Sequence, residues 1–207
     1  MVRVICRRKS QTSASRIDPS GGWNTQALPG PPATVRIVAG RWRGRRINAP
    51  AGSLVRPTLD RVREAWMSIL QLDLPGAKVL DLYAGSGALG LEALSRGAVS
   101  ADFVEKNLRS LRALEENIAV LDARAMAKIH RKSALAFAEL LEPLSYDVVF
   151  ADPPYDTGDA GRLVERWLST PFSSVLSVEH EAKVEMPGGG DTRKYGSTAI
   201  TFYRSEA

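Results

Sequence analysis

The stretch Lys78-Val-Leu-Asp-Leu-Tyr-Ala-Gly-Ser-Gly-Ala-Leu-Gly90 restricts this chain to few folds. Val79, Leu80 and Leu82 form an apolar run too short for a helix and suited to a strand buried on both faces. Asp81 and Tyr83 stand at its end. Gly85-Ser-Gly87-Ala-Leu-Gly90 then opens a helical pattern that runs through Leu94 and stops at Gly97. Strand, glycine turn and helix make the front half of a nucleotide-binding unit. The glycines let backbone approach a ligand closely, and the helix start offers unpaired N–H groups.

A second strand, Ala101-Asp-Phe-Val-Glu105, ends in an acid twenty residues past Gly85. A carboxylate there is placed to accept hydrogen bonds from both hydroxyls of a ribose. Which nucleotide binds is a question of charge. In a dinucleotide site the pyrophosphate sits on the glycine turn, and Asp81 just before it would repel that group. A carboxylate suits a cationic ligand instead, and S-adenosylmethionine carries an ammonium and a sulfonium. Asp81-Leu-Tyr-Ala-Gly-Ser-Gly87 resembles the cofactor motif of class I methyltransferases. Asp81, Tyr83, Ala84, Gly85, Gly87 and Glu105 are the candidate cofactor residues here.

Further along, Tyr146-Asp-Val-Val-Phe-Ala151 reads as the fourth strand and runs straight into Asp152-Pro-Pro-Tyr155. An exocyclic amine on a base is a poor nucleophile, because its lone pair is delocalised into the ring. Two acceptors that hold both N–H groups turn the nitrogen towards tetrahedral and aim the lone pair at a methyl donor. Asp152 can be one acceptor and the carbonyl of Pro153 the other, stiffened by prolines that cannot donate. Tyr155 can stack on a base drawn out of its helix or loop. Asp152, Pro153 and Tyr155 are therefore the candidate catalytic residues. Pro-Pro alone would be an ordinary strand-ending turn; its coupling to the first motif gives it weight.

Charge is unevenly spread. Residues 1–65 carry a net +10, and the rest a net −5. A basic leading third beside an acidic body points to a polyanion partner. Residues 1–34, rich in Ser, Gly, Pro and Arg, read as a disordered basic extension: an arm, a transit segment or a start placed too far upstream. Residues 35–50 read as a hairpin, with strands Val35–Ala39 and Arg45–Asn48 around the turn Gly40-Arg-Trp-Arg-Gly44. Arg41, Arg43, Arg45 and Arg46 suit RNA phosphates. Trp42 either stacks on an unpaired base or packs on the body.

A helix follows over 57–71, with Thr58 as its N-cap and Val62, Ala65, Trp66, Ile69 and Leu70 on one face. It is expected to close the cleft, with Thr58 toward the cofactor and Arg56 and Arg61 toward RNA. Beyond Glu105 the pattern gives a helix capped by Asn107, with Leu108, Leu111, Leu114 and Ile118 buried, and a third strand at Ala125–His130. A helix at Arg162–Leu168, a fifth strand at Ser174–Val178 and a last strand at Ala199–Tyr203 follow. Such alternation argues for a doubly wound α/β sheet over 77–207, with ligands at the strands' carboxyl ends. Cys6 is the single cysteine, and His130 and His180 read as surface or strand-end residues, so no metal is expected. No apolar run approaches a membrane span and no secretory segment is visible, which suggests a cytoplasmic monomer with no membrane partner.

Six segments together, Arg36–Gly40, Arg56-Pro-Thr58, Asp60–Glu64, Asp81–Gly87, Asp152-Pro-Pro-Tyr155 and Lys194-Tyr-Gly196, closely resemble the RsmD family. These are bacterial methyltransferases that modify guanine N2 in 16S ribosomal RNA. The resemblance runs from about residue 35 to the end, so that 35–207 is the expected methyltransferase domain. It implies the class I methyltransferase, Rossmann-like three-layer sandwich, with a mostly parallel seven-stranded sheet whose last strand is antiparallel. It also implies S-adenosylmethionine as donor, Ser133 and Ala134 at the adenine edge, and 16S ribosomal RNA or the assembling small subunit as partner. The bare residues do not choose guanine over adenine. They leave open a DNA adenine-N6 or cytosine-N4 methyltransferase, and an RNA-binding assembly factor without turnover.

Overall fold

The computed structural model describes residues 34–50 and 57–205, with only the backbone of 57–59. The basic extension and Arg56 lie outside the described residues. A two-stranded antiparallel hairpin comes first, β1 (Thr34–Arg36) and β2 (Arg46–Asn48), with Val35 opposite Ile47. Two more bonds, Ile37 N–H to Arg45 O and Gly44 N–H to Ile37 O, carry the ladder toward its tip. Helix α1 (Pro57–Ile69) follows. It starts one residue before Thr58, so Thr58 sits inside the first turn and does not cap it, as suits a helix with proline at its first position.

Seven strands make the main sheet: β3 (Lys78–Leu82), β4 (Ser100–Val104), β5 (Ala127–His130), β6 (Tyr146–Ala151), β7 (Ser173–Glu181), β8 (Asp191–Tyr195) and β9 (Thr198–Arg204). Their order is β5-β4-β3-β6-β7-β9-β8. All neighbours from β5 to β7 are parallel, and β9 runs antiparallel to both β7 and β8. Residue patterning marks only six of these strands. The seventh, β8, is Asp-Thr-Arg-Lys-Tyr with nearly every side chain exposed, an edge strand with no apolar face to read.

Helices α2 (Ala88–Ser95) and α3 (Leu108–Val120) lie with α1 on one face, and α4 (Ala134–Ala138) and α5 (Asp159–Ser169) on the other. Alternate strand residues serve the two layers, as the strand period requires. Val79, Phe103, Val148 and Phe150 meet the first group; Leu80, Leu82, Val149 and Leu176 meet the second. Asn107 caps α3, its Oδ1 accepting from Arg109 N at 2.8 Å and Ser110 N at 3.2 Å. Leu108, at the first turn of α3, is 69% exposed and not on the buried face, which Leu111, Ala113, Leu114, Asn117 and Ile118 form. His180 is buried within β7, between the Glu181 carbonyl and Thr201 Oγ1, and is not a surface residue.

The hairpin is bound to the body by polar groups from α2 and α3. The Glu92 carboxylate, fully buried, accepts from Val38 N at 2.8 Å, Ala39 N at 3.0 Å and Arg96 Nε at 2.9 Å. Ser95 takes Arg41 N on its carbonyl and Trp42 N on its hydroxyl. Arg63 of α1 donates to Arg36 O at 2.9 Å. Trp42 is only 9% exposed and belongs to the core cluster with Ile37 and Ile47, so its ring is not a platform for a base. No helix among the described residues is long and apolar enough to cross a membrane.

Candidate functional site

Parallel register brings the two motifs together. Leu82 of β3 lies opposite Val104 of β4 on one side and Ala151 of β6 on the other, and Ala151 lies opposite Val178 of β7. The residues that follow this row are therefore Glu105, Tyr83, Asp152 and Glu179, side by side where the strands end or meet the cleft. The chain reverses its winding between β3 and β6, the point where an open α/β sheet leaves a crevice at its carboxyl edge.

Asp81 is 1% exposed, and its Oδ2 accepts from Gly90 N at 2.9 Å, tying strand end to helix start. Oδ1 accepts no hydrogen bond among the described residues. Burial lifts its pKa to about 7 against the stabilising pull of the Gly90 N–H, and the Glu105 charge lifts it further. A buried carboxylate with no salt-bridge partner among the described residues fits a positively charged ligand group. Glu105 is held by three backbone N–H groups: Gly85 on Oε2 at 2.9 Å, and Lys106 and Asn107 on Oε1 at 2.7 Å each. Tyr83 adopts a positive φ of 65°, a strained conformation for a side-chain-bearing residue, and its hydroxyl donates to Asp159 Oδ2 at 2.9 Å. Ala84 is buried, its N–H on the Val104 carbonyl at 3.0 Å.

The motif glycines do different jobs. Gly85 faces open space, while a Cβ on Gly87 would strike Leu114 and one on Gly90 would strike Phe103. Of the three, only Gly85 is open to a ligand; the other two let α2 sit close on the sheet. Ser133 is exposed just before the short helix α4, and Ala134 is buried beneath it.

Asp152 is exposed at the end of β6 and accepts no hydrogen bond among the described residues, nor does the Pro153 carbonyl. Surrounding protein raises the Asp152 pKa, and the charges of Glu179 and Asp81 raise it further. Tyr155 is 43% exposed; its hydroxyl donates to Glu179 Oε1 at 2.8 Å and lies 3.0 Å from Thr198 Oγ1. Glu179 is buried, and burial raises its pKa too, against the Tyr155 hydroxyl. Pro153, Pro154, Tyr155, Glu179, Met186 and Pro187 help line a cleft of about 250 Å³.

Glu179 and Asn117 escaped the reading of the sequence. Glu179 passed as the residue after the fifth strand, although an acid one strand over from Asp152 is visible once strand ends are aligned. Asn117 sits at a helix position that patterning assigns to the apolar face, and no local signal marks it. Of the basic residues, Arg41, Arg43, Arg45 and Arg46 are exposed around the hairpin tip and Arg61 is exposed on α1. Arg45 is anchored to Val120 O at 2.7 Å, and Arg41 lies over the Trp42 ring at 5.4 Å and against Met126 Sδ.

A seven-stranded sheet with one reversed strand, an acid and a glycine turn after the first strand of its parallel core, and a second acid at the switch point define a class I methyltransferase architecture. Residues 35–204 match the model of a family described as conserved hypothetical protein 95. Ribosomal RNA small subunit methyltransferase D of Escherichia coli is 38% identical over 74% of this chain and 78% of its own length. The Haemophilus influenzae protein of the same name is 32% identical over 85% and 95%. The solved structure of Escherichia coli yhhF superposes with a TM-score of 0.73 at 32% identity, covering 84% of this chain and 99% of that one. This chain belongs to the RsmD family of methyltransferases.

Proposed function

We propose that this protein transfers a methyl group from S-adenosylmethionine to the exocyclic N2 amine of a guanine in small-subunit ribosomal RNA. The observation that carries the reading is the Asp152 carboxylate, without a hydrogen-bond partner among the described residues and one strand from the Asp81–Gly85 turn. The named activity of the relatives supports the ribosomal substrate.

When bound, the cofactor supplies an electrophilic methyl on a sulfonium. Asp81 meets the positive charge of its methionine end, where a cation offsets the cost of burying that carboxylate. The open backbone at Gly85 lets it approach. Glu105, fixed by three N–H groups, offers its remaining lone pairs to the ribose hydroxyls, and Ser133 and Ala134 border the adenine. Asp152 and the Pro153 carbonyl accept the two N2 hydrogens, and the Tyr155 ring holds the base face. As the N–C bond forms and the C–S bond breaks, the amine gains positive charge and must lose one proton. Asp152, whose surroundings favour its protonated form, is placed to take it. The exposed arginines at 41–46 and Arg61 supply phosphate contacts.

Incubation with labelled S-adenosylmethionine and immature small subunits, naked 16S RNA or DNA, followed by nucleoside analysis, tests the reading. N2-methylguanosine from subunits or RNA is expected. N6-methyladenine or N4-methylcytosine in DNA would overturn it, and cofactor binding without transfer to any of the three would leave an assembly factor.

A further inference from the structure

We propose that Glu179 selects guanine, its carboxylate accepting the N1–H of the target base while Asp152 accepts from the N2 amine. This rests on the site being a guanine-N2 centre, and it supplies what Asp-Pro-Pro-Tyr alone lacks, a means of telling guanine from other amino-bearing bases.

The register fixes the pair. Ala151 and Val178 are opposite one another on neighbouring parallel strands, so Asp152 and Glu179 leave the row at the same level, about 4.8 Å apart in the sheet direction. Two acceptors so placed suit two adjacent donors. Guanine has them, N1–H beside N2–H₂ on its Watson–Crick edge. Adenine and cytosine place a lone pair beside their amine, at N1 and N3, and a carboxylate there meets a lone pair with a lone pair.

Glu179 is also built into the base-facing wall. Its Oε1 takes the Tyr155 hydroxyl, and Thr198 Oγ1 lies 3.0 Å from that same hydroxyl, so the donor direction runs from Thr198 through Tyr155 to Glu179. Burial raises the Glu179 pKa, and the Tyr155 hydroxyl works against that rise by favouring the anionic, accepting form. Oε2 accepts no hydrogen bond among the described residues, although Glu179 is buried and lines the cleft with Pro153, Pro154 and Tyr155. A substrate N–H that donates to this oxygen is favoured over a base that brings a lone pair to it. Any base lying on the half-exposed Tyr155 ring brings its edge to the group that the tyrosine itself anchors.

The test uses small subunits reconstituted with 16S RNA carrying either guanine or 2-aminopurine at the methylated position. 2-Aminopurine keeps the N2 amine but has a bare N1. The wild type should prefer guanine by about ten- to a hundred-fold in kcat/KM, the scale of one charge-assisted hydrogen bond. Glu179→Gln, whose amide can donate to a bare N1, and Glu179→Ala, which removes the acceptor, should both collapse that ratio. Unchanged S-adenosylmethionine affinity marks each variant as folded. A ratio in folded Glu179→Gln equal to the wild-type ratio overturns the role of Glu179 alone. A wild type that uses both bases equally overturns it without any variant. A wild type that places no methyl on guanine N2 overturns the guanine-N2 reading, and this inference with it.

Discussion

Asp152 and Glu179 each follow a residue of one cross-strand pair, Ala151 opposite Val178, so two acids stand side by side on adjacent parallel strands. Surrounding protein raises both pKa values, and the charge of Glu179 adds to the rise at Asp152. With Asp81 beside them, the carboxyl edge of the sheet gathers acids that no salt bridge among the described residues neutralises. A cationic ligand and the N–H groups of a base are the chemistry that would satisfy them.

Stability without ligand should fall as pH rises. Asp81 shifts from 3.8 to about 7 on folding. A raised acid pKa means the folded form holds its proton more tightly, so that contribution is full below about pH 4 and lost as pH climbs through 7. The whole effect at Asp81 is worth about 4 kcal/mol. Denaturant titrations of wild type and Asp81→Asn between pH 5 and 8 should show a steeper decline for the wild type. Parallel curves would mean Asp81 ionises freely.

The same proton should control cofactor affinity. Asp81→Ala should weaken S-adenosylmethionine binding by about ten- to a hundred-fold, the scale of a charge-assisted contact. Wild-type affinity should rise from pH 5.5 to 7, by up to about tenfold per unit, because the cation needs the carboxylate. Calorimetry in two buffers of different ionisation enthalpy should detect proton release. Unaltered affinity in Asp81→Ala would remove this residue from the site.

Asp152→Ala should leave cofactor binding nearly intact while methyl transfer falls by about two orders of magnitude or more, the scale of removing one oriented transition-state interaction. Asp152→Asn, whose amide oxygen still accepts, should keep partial activity. Single-turnover transfer to small subunits separates the two. Near wild-type turnover in a folded Asp152→Ala would defeat the proposed mechanism.

Asn117 connects the hairpin to the glycine turn. Its Nδ2 donates to Asn48 O and to Ser86 O, both at 2.9 Å, and its Oδ1 accepts from Asn48 N at 2.8 Å. Asn117→Leu would strand these buried groups and should cost about 2–4 kcal/mol in urea unfolding. Because Ser86 lies between Gly85 and Gly87, cofactor affinity should drop as well. Loss of stability with no change in affinity would show that the turn holds its shape unaided.

Arg43 and Arg46 are exposed near the hairpin tip, whereas Arg45 is spent on Val120. Replacing Arg43 and Arg46 by Ala should weaken RNA binding and lower the slope of log affinity against log salt by about 0.7–0.9 for each phosphate no longer neutralised. Cofactor affinity should not move. Filter binding across a salt series decides it, and a wild-type slope would mean that RNA is gripped elsewhere.

The amino-acid sequence determined the parallel core of the sheet, because apolar runs of strand length alternate with periodic helices. It also marked the glycine turn, the capping role of Asn107, and Asp152-Pro-Pro-Tyr155, whose proposed chemistry lies in consecutive residues. It could not reveal β8, an exposed edge strand held by its ladder with β9 alone. Nor could it decide Trp42, since a ring between arginines reads alike whether it packs or stacks; the Glu92 and Ser95 anchors fold it inward. Glu179 is silent in the chain, twenty-seven residues past Asp152. Parallel register makes the two neighbours, and register is set by the packing of whole strands, which no local window of sequence contains.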